Sequence, residues 1–439
     1  MAGGGERWYD RLMSTGMRDG DPLRRPLALR CGATLANRVA KAAMTEGLAD
    51  ARDRATRRHE TLYGRWSDGG AGLLITGNVM IDRRYLERPG NVVIDDDVDL
   101  EAVRRWATAG TRRGNHLWMQ ISHPGRQCTR MSSSTPVAPS AVPMTGMLGM
   151  MAKPRALEPA EIEDIIRRFA EVASVAKQCG FTGVQIHGAH GYLLSQFLSP
   201  RTNRRTDEWG GTLENRARLL LEVVKAVRAR VGDGFPIAVK LNSADFQRGG
   251  FSNDEAAEVA RWLDELGIDL LEISGGNYEQ TALFGDLEPR AESTKRREAY
   301  FLEYAEVIAK ACRGLPLMVT GGFRTASLMR EVVDAGVVSV VGLARPFCVV
   351  PTLPQQIFAG ELEHLPRHES EQRLGPGWLG RTSELHGIRT LNNQAEVAWF
   401  YAQIIHLSED RPPDLALGTW AALGSHFQGE LRRARARQR

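Results

Sequence analysis

Residues 181–218 read FTGVQIHGAHGYLLSQFLSPRTNRRTDEWGGTLENRAR. Val184 and Ile186 alternate with their neighbours as in a short buried strand. The strand ends in His187, and Gly188, Ala189, His190, Gly191 and Tyr192 follow before the apolar run resumes. Two imidazoles and a phenol therefore share one loop just past the carboxyl end of a strand. In parallel α/β folds that end is where ligands bind. Neutral imidazoles can donate to a developing oxyanion, and a Tyr hydroxyl can give up a proton. A single histidine at a strand end is more often a satisfied core group than a catalyst. Two histidines and a tyrosine, spaced by glycines that let the backbone turn sharply, leave both readings open.

Outward from this loop the chain alternates strand-like runs with helical stretches. Residues 25–48 hold two short strand-like pieces and a turn. Residues 71–78 (AGLLITGN) and 115–121 (NHLWMQI) read as strands, and 56–69 and 99–113 as helices. Pro159 suits a first helical position, with acids in the first turn, so 159–179 is expected to be a helix. On the other side, Thr212 caps a helix over 212–231, and PIAVKLN (236–242) is a strand. Ser252 and Glu255 form a capping box for a helix over 253–266. IDLLEIS (268–274) is a strand, 298–312 a helix and PLMVTGG (316–322) a strand. Thr325 caps a helix over 326–335, and VVSVVGL (337–343) is the last strand.

Eight strands alternating with seven or eight helices imply a parallel sheet. Their length fits a closed (β/α)8 TIM barrel with insertions. An open doubly wound sheet is the alternative. Against it, no Gly-x-Gly-x-x-Gly sits in a strand-to-helix turn, so no separate dinucleotide-binding domain is expected. The predicted organisation is an N-terminal arm (1–24), the barrel (25–360) and a C-terminal helical extension (361–439). Residues 124–158, rich in Pro, Ser and Met, break the rhythm as a long loop after strand three, a length that usually signals function or disorder.

In the extension, helical stretches are expected near 393–408 and 415–436, with Val397, Phe400, Ile404 and Leu407 on one apolar stripe. The first reading is an appendage packed on the barrel, with a solvated basic end. A subunit interface, hence a homo-oligomer, is the second, and membrane-surface binding the third, since a broad basic face is missing.

The chain has 439 residues, enough for a large core, and a net charge of only +4, which argues against nucleic-acid binding. Its five cysteines (31, 128, 179, 312, 348) form no close pairs, against a disulfide framework and against a Cys-ligated zinc or iron–sulfur site. A reducing, cytoplasmic setting fits. The chain lacks an 18-residue apolar run, and its start lacks the plan of a signal peptide.

Strand seven ends in Thr320-Gly321-Gly322 and strand eight in Gly342-Leu343-Ala344-Arg345-Pro346. In barrels the loops after these two strands commonly bind phosphate. Glycines let N–H groups approach the oxygens, and an arginine adds a forked charge. Plain turns are the bland alternative.

The stretch IHGAHGYLLSQFLSPRTNRRTDEWGGTLENRAR closely resembles a segment of the Old Yellow Enzyme family of FMN oxidoreductases, and the resemblance extends over roughly residues 25–360. It implies that the loops with Gly321, Gly322, Ala344 and Arg345 hold the FMN phosphate; the family usually has Gly-Arg-Pro where this chain has Ala344-Arg345-Pro346. Gln120 would read the pyrimidine edge of the flavin. Lys240 matches a basic residue, often Arg, near N1 and O2, where it stabilises reduced flavin. Ala43, Met44 and Thr45 match the Pro-Met-Thr/Cys element under the ring, with Thr45 tuning the O4 region, and Gly77 a small residue beside it. His187 and His190 match the pair that grips a substrate carbonyl, where many members have His-Asn, and Tyr192 the proton donor.

His123 to Arg126 match a stretch at the mouth of strand three. The loop 127–158 matches a variable cap, in which Met144, Met147, Met150 and Met151 are candidates to line a pocket. The cysteine cluster and second flavin or dinucleotide domain of the longer relatives are not visible.

The implied function is an FMN-dependent ene-reductase. NADH or NADPH would reduce FMN and then yield one pocket to an activated alkene or quinone, in ping-pong order. Two rivals stand beside it. Lys240 in a barrel strand also suits a Schiff-base aldolase-type lyase, and a flavin-binding module without turnover is the third reading.

Overall fold

The computed structural model describes residues 20–144, 149–245, 247–274 and 304–437. Eight parallel strands close into a barrel: β1 (Val39–Lys41), β2 (Leu73–Ile75), β3 (His116–Ser122), β4 (Gly183–Gly188), β5 (Ile237–Asn242), β6 (Leu270–Ser274), β7 (Leu317–Thr320) and β8 (Val340–Leu343). Neighbours in sequence are neighbours in space, and β8 pairs back onto β1 through Val341 with Val39. Closure removes every edge, which an open doubly wound sheet would leave. The expected (β/α)8 barrel is the observed fold.

Side chains alternate across a strand, and that alternation builds the interior in layers. Ala40, Leu73, Trp118, Ala238, Leu270, Met318 and Val340 meet in one apolar floor, closed below by Leu29 and Leu35. These two come from an antiparallel hairpin, Leu27–Ala28 with Thr34–Leu35. On β4 the floor position is Gly183, where an added Cβ would lie 2.4 Å from Trp118 Nε1, so the glycine makes room for the indole. Two residues further along, the inward positions turn polar on five strands, as Gln120, Gln185, Lys240, Glu272 and Thr320, and stay apolar as Ala42, just past β1, and Ile75 on β2. Two further still are Ser122, His187, Asn242 and Ser274 at the mouth. The sequence thus writes a dry floor and a polar upper half into the same strands.

The helices lie outside. In chain order they are α1 (Arg57–Asp68), α2 (Leu100–Gly110), α3 (Pro159–Gln178), α4 (Leu193–Leu198), α5 (Leu213–Val231), α6 (Asn253–Glu265), α7 (Ala326–Asp334), α8 (Leu353–Ala359), α9 (His386–Ser408) and α10 (Thr419–Arg437). Pro159 opens α3, the Thr212 side chain accepts from the Asn215 N–H, and Ser252 and Glu255 form their capping box. Thr325 precedes α7 but its hydroxyl makes no capping bond. Of the helix expected over 298–312, residues 304–311 are helical and 298–303 lie outside the described residues. Leu23 is fully buried, and the Asp21 side chain accepts from its N–H.

The extension packs on the barrel. Phe400, Ile404 and Leu407 of α9 bury into the main core, with Val397 half-buried at the end of the stripe. The last helix starts at Thr419, later than the expected 415. Its basic end is not simply solvated. Arg437 pairs with the buried Asp53 at 2.9 Å and donates to the Ser132 carbonyl. Among the described residues no helix is long and apolar enough to cross a membrane.

Candidate active site

The polar upper half of the barrel is one connected network. Gln120 Nε2 donates to Gln185 Oε1 at 2.7 Å, and Gln185 Nε2 donates to Glu272 Oε2 at 2.6 Å. The other oxygen of Glu272 lies 2.8 Å from Lys240 Nζ, and both side chains are almost wholly buried. The strand register sets this pair, since Lys240 and Glu272 stand opposite each other on β5 and β6. A buried acid beside a buried lysine avoids the cost of two unpaired charges. Gln185 and Glu272 went unnoticed in the sequence, although an acid among Leu270, Leu271 and Ile273 demands a partner. The pairing also bears on the lyase alternative. Lys240 Nζ is engaged by Glu272, whereas a Schiff-base lysine must present its Nζ to a carbonyl carbon.

At the end of β4 and in the loop after it, His187, His190 and Tyr192 come together as expected. The His187 ring centroid is 5.2 Å from that of His190 and 4.7 Å from that of Tyr192, both edge-on. His187 Nδ1 accepts from the Ala189 N–H at 3.2 Å, which places its proton on Nε2. His190 has φ +60°, a left-handed conformation uncommon outside glycine. It is held there from both sides. Its N–H donates to Asn242 Oδ1 at 3.0 Å, and its carbonyl accepts from Gln127 Nε2 at 2.7 Å. Its Nε2 is then 2.7 Å from Ser274 Oγ. Two side chains from outside the loop thus hold a backbone conformation that costs about 1–3 kcal/mol. Burial pushes His190 down to about 3, with the Lys240 charge adding to the shift. Burial, then His190 and Lys240, hold His187 well below the ordinary range. Both rings are neutral at pH 7 and bring no charge to the site.

The loop after β1 forms another wall. Glu46 accepts from the Gly77 N–H at 2.8 Å and from the Tyr63 hydroxyl, which pins the loop to the end of β2. Gly77 admits no side chain: a Cβ would lie 2.3 Å from both Glu46 Oε2 and the Met44 carbonyl. Met44 Sδ lies 3.6 Å from Cys348 Sγ, so this loop also meets the turn after β8. Ala43 is half-buried between them. Thr45 Oγ1 donates to the buried Glu87 at 3.0 Å, and Asn78 donates to the same carboxylate oxygen at 2.8 Å. The Thr45 oxygen in turn accepts from Asn78 Nδ2 at 3.4 Å. Glu46, Asn78 and Glu87 carry no local pattern that would single them out.

After β7 come two glycines at φ +115° and +83°, Gly321 and Gly322. After β8 come Ala344 and Arg345, the latter opening a 3-10 turn. Arg345 and Arg324 both reach this corner, and each meets a carboxylate of the extension, Glu396 and Glu369.

His123 sits apart from the pair. Its Nδ1 accepts from the Gly125 N–H at 3.0 Å, its ring tilts against Tyr85, and burial pushes it down to about 4. Arg126 reaches the carbonyls of Val142 and Pro143 in the cap. Met144, Met150 and Met151 are half-buried in that cap, and Met147 lies outside the described residues. A cavity of about 400 Å³ opens beside Gly191, lined by Arg126, Gln196, Arg201, Arg204 and Asp245.

The donor set fits a flat heterocycle with a polar edge and an anionic tail. Ser122 Oγ, Asn242 Nδ2 and Thr320 Oγ1 are buried at inward positions and find no hydrogen-bond partner among the described residues. An amide (Gln120) and a cation (Lys240) stand beside them, and two arginines and two glycines lie at the β7–β8 corner. Among the described residues no cluster of three His, Cys, Asp or Glu suited to a metal occurs. All five cysteines are free.

Residues 22–363 match the NADH:flavin oxidoreductase / NADH oxidase family. The chain is 38% identical over 377 residues to the NADH-dependent flavin oxidoreductase iliE of Hypocrea jecorina (strain QM6a), covering 81% of this chain and 94% of that relative. Among solved structures it is similar to a 2-naphthoyl-CoA reductase bound to 2-naphthoyl-CoA, with TM-score 0.71 and 27% identity. That match covers 77% of this chain but only 52% of the other, so the chain spans about half its length. It is also similar to an old yellow enzyme homologue from Zymomonas mobilis, with TM-score 0.66, 28% identity, and 81% and 97% covered.

Proposed function

The chain belongs to the NADH:flavin oxidoreductase / NADH oxidase family, and from that premise we propose that it reduces the activated C=C bond of α,β-unsaturated carbonyl compounds. FMN is the cofactor and a nicotinamide the reductant, and the protein is a flavin-dependent NAD(P)H oxidoreductase. The observation that carries the finer reading is the wall of His187, His190 and Tyr192. Two neutral N–H donors beside a phenol suit a substrate that gains negative charge on oxygen and a proton on carbon.

Bound FMN supplies the hydride that such a substrate accepts at its β-carbon. In this reading Gln120 faces the polar edge of the flavin and Lys240, backed by Glu272, the end where reduced flavin carries charge. Gly321, Gly322, Ala344 and Arg345 hold its phosphate, and Ala43, Met44, Thr45 and Gly77 line the ring. His187, through its Nε2–H, and His190 donate to the carbonyl oxygen as charge develops there. Each such donor typically contributes about 2.7–4 kcal/mol to the transition state. Tyr192 donates its hydroxyl proton to the α-carbon. The similarity to a reductase of 2-naphthoyl-CoA supports a conjugated carbonyl as the substrate class.

The test is anaerobic turnover of cyclohex-2-enone with NADH and with NADPH. Wild type is expected to consume the alkene, His187→Ala to be slower by about 10²–10³-fold, and Tyr192→Phe to lose alkene turnover while still oxidising nicotinamide. Turnover of quinones alone, indifferent to Tyr192→Phe, would overturn the alkene assignment. A quinone needs the two histidines but no proton on carbon.

A further inference from the structure

The family match ends at residue 363, yet residues beyond it reach the corner assigned to the cofactor phosphate. Arg345 Nη1 lies against Glu396 Oε1 from α9. The second oxygen of Glu396 lies 2.6 Å from Arg381 Nη2. Arg381 in turn donates to the Glu369 carbonyl, and the Glu369 carboxylate accepts from Arg324 Nη2 at 2.7 Å. Three arginines and two glutamates thus form a continuous chain, with one guanidinium on each side of Glu396.

Exposure says which members face outward. Glu396 is 5% exposed and sits behind Arg345, whose side chain is 32% exposed. Glu396 occupies one edge of a guanidinium that has five N–H donors. The remaining donors are free to face the β7–β8 corner without the carboxylate being displaced. The cluster Arg324, Arg345, Arg381, Glu369 and Glu396 carries 3 − 2 = +1, so an added phosphate dianion still meets net positive charge. Asn392, one turn before Glu396, accepts from the Leu374 N–H and donates to the Leu379 carbonyl, tying α9 to the segment before it.

We propose that Glu396 and Glu369 are positioning residues for the FMN phosphate: they hold Arg345 and Arg324 at the corner after β7 and β8, so that retention of the cofactor depends on the C-terminal extension. The inference rests on the flavin reading of the corner. A long arginine side chain loses its directional fork when nothing fixes its plane. With Glu396 neutral, Arg345 and Arg381 are left as adjacent cations and separate, which draws Arg345 away from the cradle. Direct repulsion between carboxylate and phosphate is the opposing effect; the intervening guanidinium screens it, and alignment wins.

The test compares FMN with riboflavin, which has the ring but no phosphate. Full-length apoprotein, as wild type, Glu396→Gln and Glu369→Gln, is titrated with each flavin by fluorescence quenching. Glu396→Gln is expected to weaken FMN about tenfold, or about 1.4 kcal/mol, and to leave riboflavin within about twofold. Glu369→Gln, at a more exposed carboxylate in the 3-10 turn His368–Ser370, should act in the same direction more weakly, and it carries the test if Glu396→Gln does not fold. Tighter FMN binding in either variant means the carboxylates compete with the phosphate, and equal weakening of both flavins means general packing; either overturns the proposal. A wild type that binds neither flavin overturns the flavin reading of the site itself, whereas unchanged FMN binding in both variants overturns only the role of the extension.

Discussion

Two buried carboxylates, Glu272 and Glu396, hold cationic partners in opposite ways. Glu272 stands inside the barrel, in register with Lys240 on the next strand, and the pair is sealed on all sides. Glu396 comes from a helix outside the barrel and bridges Arg345 and Arg381, whose side chains remain 32% and 20% exposed. Strand register fixes the first pair, and tertiary docking of α9 fixes the second. The barrel network therefore resists salt and depends on complete burial. The extension's network reaches solvent, and its strength falls with ionic strength as the screening length shrinks to about 3 Å at 1 M.

Acid separates the two regions most strongly. Within the barrel and its first helix, burial holds His59 near 3, His123 near 4 and His190 near 3. The extension has one comparable group, His426, also near 3 through burial. All four are depressed below their unfolded value, so the unfolded chain binds more protons as pH falls below about 6.5. Their contribution is complete above that pH and declines from 6.5 toward 3. At pH 5 each such group lowers stability by about 2 kcal/mol. Urea midpoints at pH 7 and pH 5 check this. A midpoint independent of pH over that range contradicts the neutral, buried histidines.

Breaking the barrel pair is the next largest effect. Lys240→Ala leaves Glu272 buried without its cation and should cost about 3–5 kcal/mol in urea unfolding. Lys240→Met with Glu272→Leu removes both charges and should recover most of that loss. Loss in the single variant with recovery in the double identifies desolvated charge, rather than packing, as the cause. Glu396→Ala is the matched experiment in the extension. Its arginines can turn to water, so the expected cost is about 1–2 kcal/mol, and more of it should vanish at 1 M salt than for Lys240→Ala. Equal costs and equal salt dependence would erase the distinction between the two regions.

The same contrast explains what could be read from the sequence. The barrel was legible because its signals are local. Apolar runs such as PIAVKLN are short and bounded, the cap at Thr212 and the box at Ser252 and Glu255 lie within four residues, and turns mark each strand end. His187, His190 and Tyr192 were legible as a group because six consecutive residues contain all three. The partners were not. Lys240 and Glu272 meet through a register that only the closed barrel defines, and Glu396 lies 51 positions from Arg345. On an amphipathic helix, a glutamate that faces an arginine across an interface has the same spacing as one that faces water. Arg437 read as part of a solvated tail for the same reason, although it binds Asp53.

The smallest effect tests how the legible loop depends on its illegible supports. The left-handed backbone of His190 is clamped by Asn242 from β5 and Gln127 from the cap, neither of which the loop itself supplies. Asn242→Ala removes the acceptor for the His190 N–H and should cost about 1 kcal/mol of stability, the worth of one hydrogen bond. Its effect on turnover should exceed that. Released from the clamp, His190 relaxes toward ordinary φ, and its ring leaves Ser274 Oγ. On the proposed assignment of His190 to the substrate oxygen, alkene turnover is expected to fall about tenfold, with the rate of flavin reduction by NADH little changed. His190→Gly in the same assay separates strain from chemistry: it keeps the backbone freedom and loses the ring. If Asn242→Ala matches His190→Gly in turnover, the clamp serves to place the imidazole; if Asn242→Ala turns over normally, the strain at His190 has another origin.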